Sequence, residues 1–155
     1  MKIAFCRVEE RLIHGQITVA WSRSVDFDAF VVVDNAAASD EFMQSILEMG
    51  IPAGKKLHIF SEEEAVDKIN QLEETIFILA KSPITFMLLR EEGLKFDYLN
   101  IGSIHAKKGK KEIYQTVYMS DQEIDAIKRL LSLGVQCDIQ KLPNESKTDI
   151  NTIIK

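Results

Sequence analysis

KIAFCRVEERLIHGQITVAWSRS, residues 2–24, runs from an apolar stretch of strand character into charge at Glu9, Glu10 and Arg11. It then resumes with Ile13, Ile17 and Trp21 spaced four apart, as one face of a helix that ends near Ser24. Strand, loop and helix thus follow one another within a single short segment. If that unit repeats, the chain builds parallel strands joined by crossover helices rather than hairpins.

The unit does repeat. DAFVVVD (28–34), KLHIF (56–60), TIFILA (75–80), DYLNIG (97–102), QTVYM (115–119) and VQCDI (135–139) read with KIAFCRV (2–8) as strands, being short and rich in β-branched and aromatic residues. Helix starts lie between most of them. Ser61 with Glu64, and Ser120 with Glu123, fit the capping box, in which each side chain serves an otherwise unpaired amide. Ser82 before Pro83 gives a cap and a first-turn proline, and Gly93 is a natural stop. A further helix follows Ser39 (DEFMQSILEM). In the last helix Ile124, Ile127 and Leu131 form an apolar stripe while Lys128 and Arg129 face water. The clustered Phe86, Met87, Leu88 and Leu89 are core filling, and KLPNESKTD (141–149) reads as a loop. The expected fold is α/β: one domain over residues 1–155, with an open, mostly parallel sheet of about seven strands and helices on both faces.

Bulk properties narrow the function. The 155 residues, 46% hydrophobic and 28% charged, can build one domain with a substantial core. A formal net charge of −5 and a pI near 5.3 give no general attraction to nucleic acid. The apolar runs, such as AFVVV and IFILA, are far shorter than the roughly 20 residues a bilayer span needs. MKIAFCRVEER lacks the apolar core of a secretory signal, so a cytoplasmic location is expected. Cys6 and Cys137 have no CxxC spacing and read as buried thiols. His14, His58 and His105 are too scattered for a zinc pattern, and neither G-x-G-x-x-G nor G-x-x-x-x-G-K-[ST] occurs, so no metal, nucleotide or other cofactor is assigned.

Chemistry concentrates in RLIHGQ (11–16). His14 follows a strand and precedes a helix, and ligands in open α/β folds gather outside the carboxyl ends of the strands. A lone histidine there is ordinarily structural, but its neighbours change that reading. Arg11 offers a permanent forked cation, Gly15 permits close backbone approach, and the helix start adds amide donors. This set suits a histidine that accepts a phosphoryl group: an imidazole nitrogen attacks phosphorus while cations and amides hold its equatorial oxygens. Other candidates for the crevice are Asp34, Lys81, Ser82, Asn100 and Gly102, each with a competing role as cap or turn residue. The lysines at 107, 108, 110 and 111 read as a solvated loop, with docking of an acidic partner or a phosphosugar as the rival.

RVEERLIHGQI resembles the active-site loop of the IIB subunits of the mannose/fructose/sorbose class of the bacterial phosphoenolpyruvate-dependent sugar phosphotransferase system, which usually reads R-[IV]-D-D-R-L-I-H-G-Q-[VI]. FVVVDNAAASDEF, AKSP (80–83), LNIGSIHAKKGKKE (99–112) and SDQEIDAIKRLLSLGVQCDIQKLP extend the resemblance over nearly the whole chain. The resemblance implies one antiparallel strand in the sheet. It also implies that His14 takes a phosphoryl group from a partner IIA and passes it to a sugar entering through membrane subunits IIC and IID. Arg11 would then stabilise the phosphate, with Glu10, Gly15 and Gln16 shaping its cradle. It implies a place at the inner face of the membrane, through partners, and self-association or assembly. A regulatory module, whose phosphorylation a protein partner reads, is the alternative. Glu9 and Glu10 depart from the usual Asp pair, Ser103 and Ile104 from Gly and Met, and Asn35 and Ala36 from an acidic residue and a longer side chain.

Overall fold

The computed structural model describes residues 1–154. Its strands are β1 (Lys2–Val8), β2 (Ala29–Val33), β3 (Lys56–Phe60), β4 (Thr75–Ala80), β5 (Tyr98–Ile101), β6 (Lys111–Tyr114), β7 (Val117–Met119), β8 (Gln136–Ile139) and β9 (Thr148–Asp149). Its helices are α1 (Gly15–Ser24), α2 (Asn35–Ala38), α3 (Glu41–Met49), α4 (Ala65–Asn70), α5 (Pro83–Glu91) and α6 (Asp121–Ser132). Seven strands form one sheet in the order β3-β2-β4-β1-β5-β8-β9. Every pairing in it is parallel except β8 with β9.

Alternation along the strands sends side chains to two cores, because successive residues of a strand point to opposite faces. On one face Cys6, Val8, Val31, Ile78 and Leu99 pack with Phe86 and Leu89 of α5 and Ile127 and Leu130 of α6. On the other, Phe30 and Phe77 pack with Trp21 of α1 and Leu47 of α3. Phe5 stacks on Trp21 with ring centroids 5.1 Å apart. Each fully buried side chain of this size is worth about 1.5–3 kcal/mol relative to exposure. Both cysteines are buried and free, and burial pushes the Cys137 thiol up to about 12.

The strand order creates the crevice. From β1 the chain crosses toward β2 on one side, whereas from β5 it leads toward β8 on the other. Adjacent strands whose connections diverge leave a gap above their carboxyl ends, the switch point at which such sheets bind ligands. The loops after β1 and β5 flank it.

Several sequence expectations change. QTVYM is not a strand of the main sheet: Val117–Met119 pairs antiparallel with Lys111–Tyr114 in a separate hairpin. Only the short Gln115–Thr116 connection separates them, too short for a crossover, so antiparallel pairing is forced. The seventh strand of the main sheet is instead Thr148–Asp149, inside the stretch read as a loop. The helix after Ser39 is capped by Asp40, whose carboxylate accepts from the amides of Phe42 and Met43, and the short α2 precedes it. Ser120 and Glu123 form the capping box of α6. Ser61 and Glu64 make the same reciprocal bonds, but around a turn that ends where α4 begins. Ser82 caps α5, and Lys128 and Arg129 are exposed on α6.

Candidate functional site

The loop after β1 is shaped by two left-handed residues. Leu12 has φ 62°, a conformation that costs a non-glycine residue about 1–3 kcal/mol. It is held there because its side chain is buried among the α1-face residues and its amide donates to the Glu9 carbonyl at 2.9 Å. Gly15, with φ 49°, then opens α1 directly after His14, which is its N-cap. Thr18 closes the turn: its hydroxyl accepts from the His14 amide at 2.7 Å. The amides of Gly15, Gln16 and Ile17 have no acceptor among the described residues, as the first turn of a helix leaves them.

Beneath this loop lies a buried polar floor. Arg7 shares its face of β1 with Phe5 and is 1% exposed, its guanidinium 4.5 Å from the centre of the Trp21 ring. Its Nε donates to Glu9 Oε2 at 2.7 Å, and its other nitrogens donate to Asn100 Oδ1, to the Gln140 carbonyl at 2.7 Å and to the Lys141 carbonyl at 2.8 Å. Burial pulls the Arg7 guanidinium below its ordinary pKa, while the neighbouring Glu9 carboxylate opposes that shift. Asn100 in turn donates to Gln140 Oε1 at 3.0 Å and to the Tyr98 hydroxyl at 3.2 Å. The Tyr98 hydroxyl donates to Asp138 at 2.8 Å, and burial is the main cause of its rise to about 12.

The second oxygen of Glu9 meets His14. Glu9 Oε1 lies 2.9 Å from Nε2 of the imidazole, so a carboxylate already paired with Arg7 also fixes the ring. A carboxylate only accepts, so Nε2 carries the proton in this bond. Nδ1 is the ring nitrogen without a partner among the described residues.

Glu9, His14 and Arg11 line a cleft of about 530 Å³ together with Glu10, Ser103, His105, Thr116, Tyr118 and Lys141. Arg11 is exposed and makes no hydrogen bond or ion pair among the described residues. Glu10 reaches across to the loop after β5, where its carboxylate pairs with His105 Nδ1 at 2.5 Å. Gly102 packs against the floor: a Cβ there would stand 2.6 Å from Arg7 Nη2 and 2.9 Å from Glu9 Oε2. Asn100 and Gly102 therefore sit under the site. Gly15 and Gln16 are exposed at the start of α1.

The remaining candidates form a separate cluster at the ends of β2 and β4 and do not line this cleft. Asp34 caps α2 through Ala37 at 3.0 Å and lies 3.7 Å from Lys81. Ser82 caps α5 and donates to Glu123 at 2.8 Å. Of the lysine run, Lys110 is tied to Glu123 at 3.0 Å and Lys111 to Asp121 at 3.5 Å. Arg7, Lys141 and His105 were not singled out from the sequence. For Arg7 a signal existed: it shares its face of a central strand with Phe5, so it must be buried, and a buried arginine requires a partner such as Glu9 two residues on.

Fold and site together define a two-faced, mostly parallel α/β fold that presents one oriented histidine and an unpaired arginine at a switch-point crevice, beside the start of a helix. A family model for the PTS system sorbose subfamily IIB component matches residues 3–155. The chain is 32% identical over 153 residues to the N-acetylgalactosamine-specific phosphotransferase enzyme IIB component 1 of Escherichia coli, covering 96% of both chains. The crystal structure of the IIBSor domain of the sorbose permease from Klebsiella pneumoniae superposes with a TM-score of 0.93 at 29% identity, covering 99% of this chain and 96% of that one. The mannose-specific EIIAB component of Escherichia coli is 25% identical over 157 residues, and this chain spans 49% of its length. The chain belongs to the sorbose subfamily of phosphotransferase system IIB components.

Proposed function

We propose that this IIB component is a cytoplasmic phosphocarrier that takes a phosphoryl group onto His14 from a phosphorylated IIA and delivers it to a sugar entering through IIC and IID. The observation that carries this reading is the Glu9–His14 contact: with Nε2 occupied at 2.9 Å, Nδ1 keeps its lone pair for attack on phosphorus. In the first step the Nδ1–P bond forms as the donor's N–P bond breaks and its electron pair returns to the donor ring. The phosphorylated ring retains its Nε2 proton and is cationic, and Glu9 is already in place to pair with it. In the second step a sugar hydroxyl oxygen takes the phosphoryl group, its proton leaves to solvent, and Nδ1 recovers its pair. Arg11 and the first-turn amides of α1 would hold the equatorial oxygens through both steps.

The mannose-specific relative, named as an EIIAB component, supports the choice of donor, since its name joins a IIA and a IIB part in one protein. Among the described residues no helix is long and apolar enough to cross a membrane. Association with the inner face of the membrane would then come through IIC and IID.

The test is incubation with phosphoenolpyruvate, the general phosphotransfer proteins and IIA, followed by intact-mass analysis. The wild type should gain one acid-labile phosphoryl group and folded His14→Ala none; an adduct on the variant would place the site elsewhere. Addition of membranes carrying IIC and IID with sugar should discharge the phosphoprotein. Persistence of the phosphoprotein would favour the regulatory alternative. Arg11→Ala should slow transfer by roughly 10²–10³-fold with the fold intact, as loss of one transition-state donor does. An unchanged rate would remove Arg11 from the mechanism.

A further inference from the structure

Lys141 lies just beyond β8, in a stretch the sequence marks only as loop, yet it lines the His14 cleft. Its backbone is held by the buried arginine whose partner, Glu9, fixes the histidine. Arg7 donates to the Lys141 carbonyl at 2.8 Å and to Glu9 at 2.7 Å, and Glu9 holds His14 at 2.9 Å. Trp21 Nε1 adds a second bond to the Lys141 carbonyl at 3.2 Å. The imidazole and the root of the lysine are thus registered to one another through a single guanidinium.

The charges around the cleft divide sharply. Each lining carboxylate is engaged: Glu9 with Arg7 and His14, Glu10 with His105, and Glu112 with the Tyr118 hydroxyl at 3.2 Å. The lining cations Arg11 and Lys141 make no side-chain hydrogen bond or ion pair among the described residues. Two unpaired cations, Arg11 in the loop after β1 and Lys141 just beyond β8, line the same cleft as an oriented imidazole and match the demand of a phosphoryl dianion. An unpaired ammonium on a flexible stem can follow the group as it moves between donor, ring and acceptor.

Resting on the phosphocarrier reading above, we propose that Lys141 is a second phosphate-holding cation of the site, contacting the phosphoryl group on His14 together with Arg11. The lysine lies exposed at the cleft, so its contribution is smaller than that of a buried donor.

The test compares wild type, Lys141→Gln and Lys141→Arg. Because the anchoring bonds use the backbone carbonyl, the side-chain changes leave the Arg7 and Trp21 contacts in place, and thermal unfolding checks this. Two quantities are read: the rate of transfer from phosphorylated IIA, and the pH midpoint of the phosphohistidine ³¹P shift. Lys141→Gln should slow transfer about ten-fold and raise the midpoint, since a nearby cation favours the dianion; Lys141→Arg should restore most of both. A labelled wild type with the rate and midpoint unchanged in Lys141→Gln would overturn this assignment alone. A wild type that takes no phosphoryl group on His14 would overturn the phosphocarrier reading itself, before any variant is compared.

Discussion

The His14 cleft and the Asp34–Lys81–Ser82 cluster lie on the same carboxyl edge of one sheet and are built from the same residue types: a capping group, a carboxylate and a cation. At the cluster the groups satisfy one another. Asp34 serves α2 and Lys81, and Ser82 serves α5 and Glu123, which also holds Lys110. At the cleft the satisfied groups lie underneath, in the Arg7–Glu9–Asn100 floor, while Arg11, Lys141 and one imidazole nitrogen line the opening without partners among the described residues. Capping chemistry after a strand therefore does not by itself distinguish a site from a joint. What distinguishes them is a set of groups left unpaired above a floor whose members are fully paired and which fixes the imidazole and the backbone of Lys141.

Breaking the floor should have the largest effect. Arg7→Met leaves the Glu9 carboxylate buried without its partner and frees the loop carrying Lys141, and should cost about 3–5 kcal/mol in denaturant unfolding. Phosphoryl uptake should fall with it, since the imidazole loses its fixed partner. Gly102→Ala comes next. Its methyl would press on both members of the ion pair, and should cost about 1–3 kcal/mol with a parallel loss of transfer rate. Stability and rate equal to wild type would mean the floor yields freely. Asp34→Ala should do least: loss of the α2 cap costs about 1 kcal/mol, and uptake on His14 should be unchanged. A large fall in uptake there would erase the distinction between the two clusters.

The parts of this design legible from the sequence were those with local signatures. The alternation of strand and helix, the caps at Ser82 and Ser120, and the position of His14 between β1 and α1 follow from a few adjacent residues. The hairpin strand Lys111–Tyr114 was hidden by its polarity, since it is largely exposed and begins on the last residue of a lysine run. Strand Thr148–Asp149 has two residues and no pattern of its own; it pairs only because β8 leaves an open edge. Lys141 was illegible because its place depends on a guanidinium 134 positions away in the chain. The resemblance drew attention to Glu9 as a departure from aspartate, but not to what the residue does: one carboxylate bridging a buried arginine and the histidine.

In the proposed mechanism Glu9 holds one imidazole nitrogen so that the other carries phosphate. Heteronuclear ¹⁵N–³¹P NMR of the phosphorylated protein, with ¹⁵N-labelled histidine, reads the attachment point directly. The proposed mechanism predicts phosphorus bonded to His14 Nδ1, with Nε2 still protonated. Phosphorus on Nε2, or on a residue other than His14, would exclude this mechanism.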